Sequence, residues 1–237
     1  MPSDNRKLGA DTKRKGNQEY YVVAFVKNTN QENGSGHVSV SAIKRSPGRS
    51  KFNHLSFFPG PIGALVNQLT LGSVPTAGRF AESHHEDFEE ADHVLVKKIE
   101  KTQYQEINNA TNEFKEDVKN KSRLYAVFGA TNPIAPCLTG ALTFTWSSWK
   151  TQLNHKRLNC HPAPEDMCGV EVYDDETHVL ASGFQPDNCT SSVTHVLNKG
   201  GFSLKNPVVP TFFTNKLTDE HGFERMDKEQ FCSLFKK

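Results

Sequence analysis

The chain has 237 residues, a formal net charge of +1, 35% hydrophobic residues and 23% charged residues. That length holds one large or two small domains. The near-zero net charge gives no general pull toward nucleic acid or acidic membranes, and no stretch approaches the roughly 20 apolar residues of a membrane-spanning helix.

Met1–Gly16 is polar and basic and lacks the apolar core of a secretory signal peptide, so residues 1–17 are expected to be a disordered lead-in. Tyr20–Lys27 (YYVVAFVK) is rich in β-branched and aromatic residues and predicts a strand. After the polar loop Asn28–Ser35, Gly36–Lys44 alternates, with Val38, Val40 and Ala42 on one face and His37, Ser39 and Ser41 on the other. Pro47-Gly48 marks a hairpin connection, Asn53–Phe58 returns, and Pro59-Gly60-Pro61 ends that strand. Gly63–Glu90 gives mixed signals, with a short helix near Ile62–Leu69. The run His84-His85-Glu86-Asp87 within it reads as a solvated charged loop. Asp92–Glu100 is a further strand. A helix follows to about Asn120, with Thr102 and Gln105 at capping-box spacing and Tyr104, Ile107, Ala110, Phe114 and Val118 at helical spacing.

Leu124–Phe128 is a short apolar element, Pro136–Trp149 a buried helix, Thr151–Asp175 a loop and Val179–Ala181 a strand extension. Asp187–Gly201 (DNCTSSVTHVLNKGG) predicts a helix with a start at Asp187 or Asn188 and a stop at Gly200-Gly201. Pro207–Leu217 reads as extended and Asp219–Phe235 as a final charged helix.

The five cysteines are Cys137, Cys160, Cys168, Cys189 and Cys232. An odd count at irregular spacing disfavours a disulfide framework. Cys189 falls in the first turn of a helix, where unpaired N–H groups and the helix dipole favour a thiolate. The same N–H groups can donate to an oxyanion, and a nearby imidazole can take the thiol proton. His37 and His54, on the polar face of one hairpin, are the candidates: one as base, the other as the group that orients it. Cys137 is a rival nucleophile whose apolar neighbours point to burial. Cys160, His161 and Cys168 do not have the spacing of a paired zinc-ligand set, and no metal site is expected.

His37 in GHVSV, His54 in NHLSFFPG and Cys189 in DNCTSSVTHVLNKGG occur in the order that resembles the permuted papain-like cysteine hydrolases. That group includes NlpC-type peptidases and lecithin:retinol acyltransferase-like enzymes. The chain is most similar to the papain-like domains of secreted effectors and toxins of bacterial pathogens. The likeness covers Gly36–Gly60 and Asp187–Gly201 and extends to Asp92–Asn120. It implies an α+β fold over residues 18–218, a circularly permuted papain-like antiparallel sheet packed on a nucleophile-bearing helix. The long separation of His54 from Cys189 implies an insertion at Pro133–Asp175.

The resemblance also implies roles. Cys189 is the nucleophile, His37 the base and His54 the orienter, with Asn188 capping the helix and the Cys189 N–H in the oxyanion hole. No metal or organic cofactor is required. The substrate is a protein or peptide-like amide or isopeptide, a host protein among the candidates, with no nucleic-acid partner. The acidic-then-apolar segment of residues 219–237 is similar to the translocation signals of type IV-secreted effectors, which implies delivery into a host cytoplasm. A non-catalytic host-interaction module on the same fold is the alternative of a different class. A thioester-forming acyltransferase or lipid hydrolase is a third, for which no apolar anchor is evident.

Overall fold

The structure is a computed structural model that describes residues 18–30, 36–69, 74–127, 185–207 and 209–235. The expected lead-in at 1–17, the insertion at 133–175, and Cys137, Cys160, His161 and Cys168 lie outside the described residues.

β1 (Glu19–Lys27) is apolar on both sides of its pleat, and both sides are covered. Val22, Ala24 and Val26 enter one core; Tyr21, Val23 and Phe25 enter a second on the opposite face. β2 (His37–Ser46) pairs antiparallel with β1 from Lys27↔His37 to Glu19↔Arg45. Its expected alternation is present, with Val38, Val40 and Ala42 in the first core. Pro47-Gly48 closes a tight hairpin to β3 (Arg49–Leu55), with Gly48 at φ 73, a backbone region that glycine enters without a Cβ penalty.

β6 (His93–Ile99) pairs antiparallel with the other edge of β1, and β9 (Glu224–Met226) pairs antiparallel with β6. The five-stranded sheet therefore has the order β3-β2-β1-β6-β9. β4 (Phe57–Pro59) pairs antiparallel with β5 (Gly78–Phe80). β7 (Arg123–Tyr125) pairs parallel with β8 (Gln185–Asp187). The chain is thus α+β with a mostly antiparallel sheet.

Helices cover both faces of the main sheet. On the first lie α3 (Lys101–Lys119), through Ile107, Ala110, Phe114 and Val118, and α4 (Cys189–Lys199), through Cys189, Val193, Val196 and Leu197. On the second, α2 (His85–Glu90) contributes Phe88, and α6 (Lys228–Phe235) contributes Phe231 and Phe235. α1 (Pro61–Leu69) follows β4 where a short helix is expected.

Three local expectations shift. The capping box of α3 is Glu100 with Gln103, not Thr102 with Gln105. Pairing with β1 holds β6 extended to Ile99, opposite Tyr20, and the helix begins directly after Glu100. Pro207–Leu217 is not uniformly extended. α5 (Thr211–Asn215) runs into a π-helical turn at Lys216–Glu220, which buries Phe213 and Leu217 four residues apart on one face. Asp219–Phe235 is not one helix: Gly222, at φ 62, reverses the chain into β9 before α6 begins.

Candidate active site

The site is built where the start of β2 meets the start of α4. Asn188 is the N-cap of α4, extended at φ −133 and ψ −173. Its Oδ1 accepts from the Ser191 N–H at 2.8 Å and from the Thr190 hydroxyl at 2.8 Å, and its Nδ2 donates to the Val127 carbonyl at 2.8 Å. The Ser191 hydroxyl accepts from the Asn188 N–H at 2.9 Å and donates to Asp187 Oδ1 at 2.7 Å. Arg123 anchors this assembly from β7. It donates to Asp187 Oδ2 at 2.8 Å and to Asp117 Oδ2 at 2.9 Å, while its guanidinium lies 4.7 Å from the Phe114 ring centroid. These side-chain hydrogen bonds fix the backbone at the start of α4.

Cys189 is the first residue of α4, as expected, and only 7% exposed. It belongs to the first core with Val38 and Val193. Burial raises its thiol pKa. The main-chain N–H groups of Val38, Thr190 and Cys189 oppose that and the Asp87 carboxylate adds to it, so the thiol is pushed up to about 11. The resting side chain is a neutral thiol.

His37 and His54 lie on the face opposite Val38. β2 and β3 pair in the register Ser41↔His54, which puts His37, Ser39, Ser41 and His54 on one side. His54 Nδ1 meets the Ser41 hydroxyl at 2.8 Å, and its ring stands edge-on to Phe25 of the second core. His37 Nε2 meets the Ser56 hydroxyl at 2.8 Å, and its ring stacks on Phe58 at 4.1 Å.

The two imidazoles converge on a residue outside the expected set. Asp87, on α2, places Oδ2 2.8 Å from His54 Nε2 and Oδ1 3.8 Å from His37 Nε2. Asp87 and its neighbour Phe88 are buried, which corrects the solvated-loop reading of HHED at that position. Burial alone would raise the Asp87 pKa. The hydrogen bond from His54, the charge of His37 and the hydroxyls of Ser39 and Ser56 outweigh it and hold the carboxyl down to about 2. Ser39 Oγ, buried, has no hydrogen-bond partner within normal distance among the described residues. Desolvation pulls His37 down to about 4, although Asp87 works to raise it. Near neutral pH the site holds a carboxylate beside a neutral His37.

The structure brings His37 and His54 together through Asp87. It does not hydrogen-bond either of them to Cys189 among the described residues; His37 Nε2 faces Ser56 and Asp87 instead. The thiol and the histidines lie on opposite faces of β2. Val38, whose N–H acts on the sulfur, follows His37 directly. β2–β3 pairing stops at Val40↔Leu55, and β4 turns away to pair with β5, so residues 37–39 of β2 pair with β1 alone. α4 packs against β2.

The remaining described cysteine, Cys232, is a half-buried free thiol on α6. Among the described residues no helix is long and apolar enough to cross a membrane. In comparisons with known proteins, no family model, no curated protein and no solved structure matches the chain.

Proposed function

We propose that the chain is a cysteine hydrolase of the permuted papain-like kind, with Cys189 as nucleophile and His37 as base. The observation that supports this best is the buried His37–Asp87–His54 constellation on one face of β2, with a thiol at a helix N-terminus packed on the other. Burying a carboxylate and two imidazoles is costly. A purely structural strand pair needs none of them, whereas a base and its orienting group need burial and fixed geometry.

With the thiol near 11 and His37 near 4, the resting pair is neutral and not a thiolate–imidazolium ion pair. The thiol proton passes to the imidazole as sulfur attacks the carbonyl carbon. The oxyanion is met by main-chain N–H groups at the start of α4. Collapse of the intermediate breaks the C–N bond, and the imidazolium gives its proton to the leaving amine. Water then hydrolyses the thioester, with His37 again as base. An acyltransferase uses the same parts with another acceptor in place of water. The likeness to effector domains makes a host protein, reached through a type IV-like secretion route, the substrate class of this proposal.

The burial of Cys189 favours a second reading, a non-catalytic interaction module in which Cys189 is a small core residue. An activated ester separates the two. With p-nitrophenyl acetate, the hydrolase reading expects a burst of about one nitrophenol per chain and an acetyl group on Cys189 by peptide mass spectrometry. The burst disappears in Cys189→Ala and slows by about 100-fold in His37→Ala. Acetylation of Cys189 at the same rate with and without His37, or none at all, supports the module.

A further inference from the structure

We infer that Asp87 is a positioning residue that fixes the tautomer of both histidines, leaving His37 Nδ1 as the nitrogen that carries the lone pair. The role rests on the Cys189–His37 reading above and adds a residue that the resemblance does not assign, from an element outside the β2–β3 hairpin.

The geometry settles each ring in turn. An ionised carboxylate is an acceptor only. Asp87 Oδ2 stands 2.8 Å from His54 Nε2, so Nε2 must carry the proton. In neutral His54 the lone pair then lies on Nδ1, 2.8 Å from the Ser41 hydroxyl, which donates to it. The chain Ser41–His54–Asp87 is complete and runs in one direction.

His37 follows by electrostatics. Its Nε2 is 3.8 Å from Asp87 Oδ1 and 2.8 Å from Ser56 Oγ. A lone pair on Nε2 would face a negative charge across a buried gap, whereas an N–H there is attracted by it and donates to Ser56. The proton therefore sits on Nε2, and Nδ1 is the basic nitrogen. The Asp87 side chain is 7% exposed, so little solvent screens this preference. Phe58, stacked on the His37 ring, restrains the ring against turning over.

His54 thus orients His37 only indirectly. Its hydrogen bond holds one carboxylate oxygen and leaves the other aimed at His37. This accounts for two histidines where one base is needed.

The test is spectroscopic and needs no substrate. Full-length protein labelled with 15N-histidine is observed at pH 7.5 by long-range 1H–15N correlation, with His37 and His54 assigned by single His→Gln variants. The wild type is expected to show both rings as the Nε2–H tautomer. Asp87→Asn, which keeps the shape and removes the charge, is expected to lose the pure Nε2–H pattern of His37 while thermal melting still shows a folded protein. Ser41→Ala is expected to alter the His54 signals alone. A wild-type His37 protonated on Nδ1 overturns the inference without any variant, and so does an unchanged His37 pattern in folded Asp87→Asn. The hydrolase reading is judged separately, by the His37 dependence of Cys189 acylation. That reading can fail while the tautomers stand, and the tautomers can fail while it stands.

Discussion

His37 and Asp87 are opposite cases of one rule: burial penalises the charged form, and a partner relieves the penalty. For His37, desolvation wins over the Asp87 carboxylate and the ring stays neutral down to about pH 4. For Asp87, its hydrogen-bond donors win and the carboxyl stays ionised down to about pH 2. Both make the fold acid-sensitive. An unfolded His37 takes up its proton near pH 6.5, while the folded one resists until about 4, so the unfolded state binds more protons and stability falls across that window. Asp87 stabilises the fold above its unfolded value of 3.8, and that contribution is lost as pH falls toward 2. Urea midpoints of the wild type are expected to drop between pH 6.5 and 4. His37→Gln, which cannot be protonated there, should drop visibly less over the same range. Parallel curves for the two proteins would contradict this account of His37.

The elements that the sequence predicts well are those whose pattern is local. β1 and β2 carry apolar runs or clean alternation, and α4 carries its cap and its Gly-Gly stop within DNCTSSVTHVLNKGG. Elements defined by distant partners were not legible. β9 is Glu-Arg-Met, with no strand propensity of note, and is extended because it pairs with β6. Asp87 lies in a run of charge and histidine, and only the fold reveals that His54 and His37 reach it from 33 and 50 residues upstream in the chain. The buried Arg123–Asp187 pair, which sets the start of α4, joins residues 64 apart.

Two substitutions test that element. Asn188→Ala removes a helix cap and should cost about 1 kcal/mol. Arg123→Met takes the counter-charge from the buried Asp187 carboxylate and should cost roughly 3–5 kcal/mol. Urea unfolding at pH 7.5 measures both. An Arg123→Met protein as stable as the wild type would show that the guanidinium does not hold the helix start.

At the scale of the molecule, the sheet works because both faces are closed. The first core is sealed by α3 and α4, the second by α2 and α6. The C-terminal segment is therefore part of the body of the fold. Phe231 is 4% exposed, with its ring centroid 5.7 Å from that of Phe25, whose ring also meets those of His54 and Phe88. Phe231→Ala should cost roughly 3–5 kcal/mol, read by thermal or urea unfolding. A cost below about 1 kcal/mol would mean that α6 is not docked as described.

The central claim is that Cys189 reacts through His37, and Cys232 supplies a reference within the same molecule. Iodoacetamide labelling of the native full-length chain at pH 7.5, quantified at each cysteine by peptide mass spectrometry, tests it directly. The account predicts that His37→Ala slows labelling of Cys189 by at least about tenfold relative to Cys232, as loss of a general base should. A ratio of the two rates unchanged by the substitution would contradict it and leave Cys189 as a residue of the core.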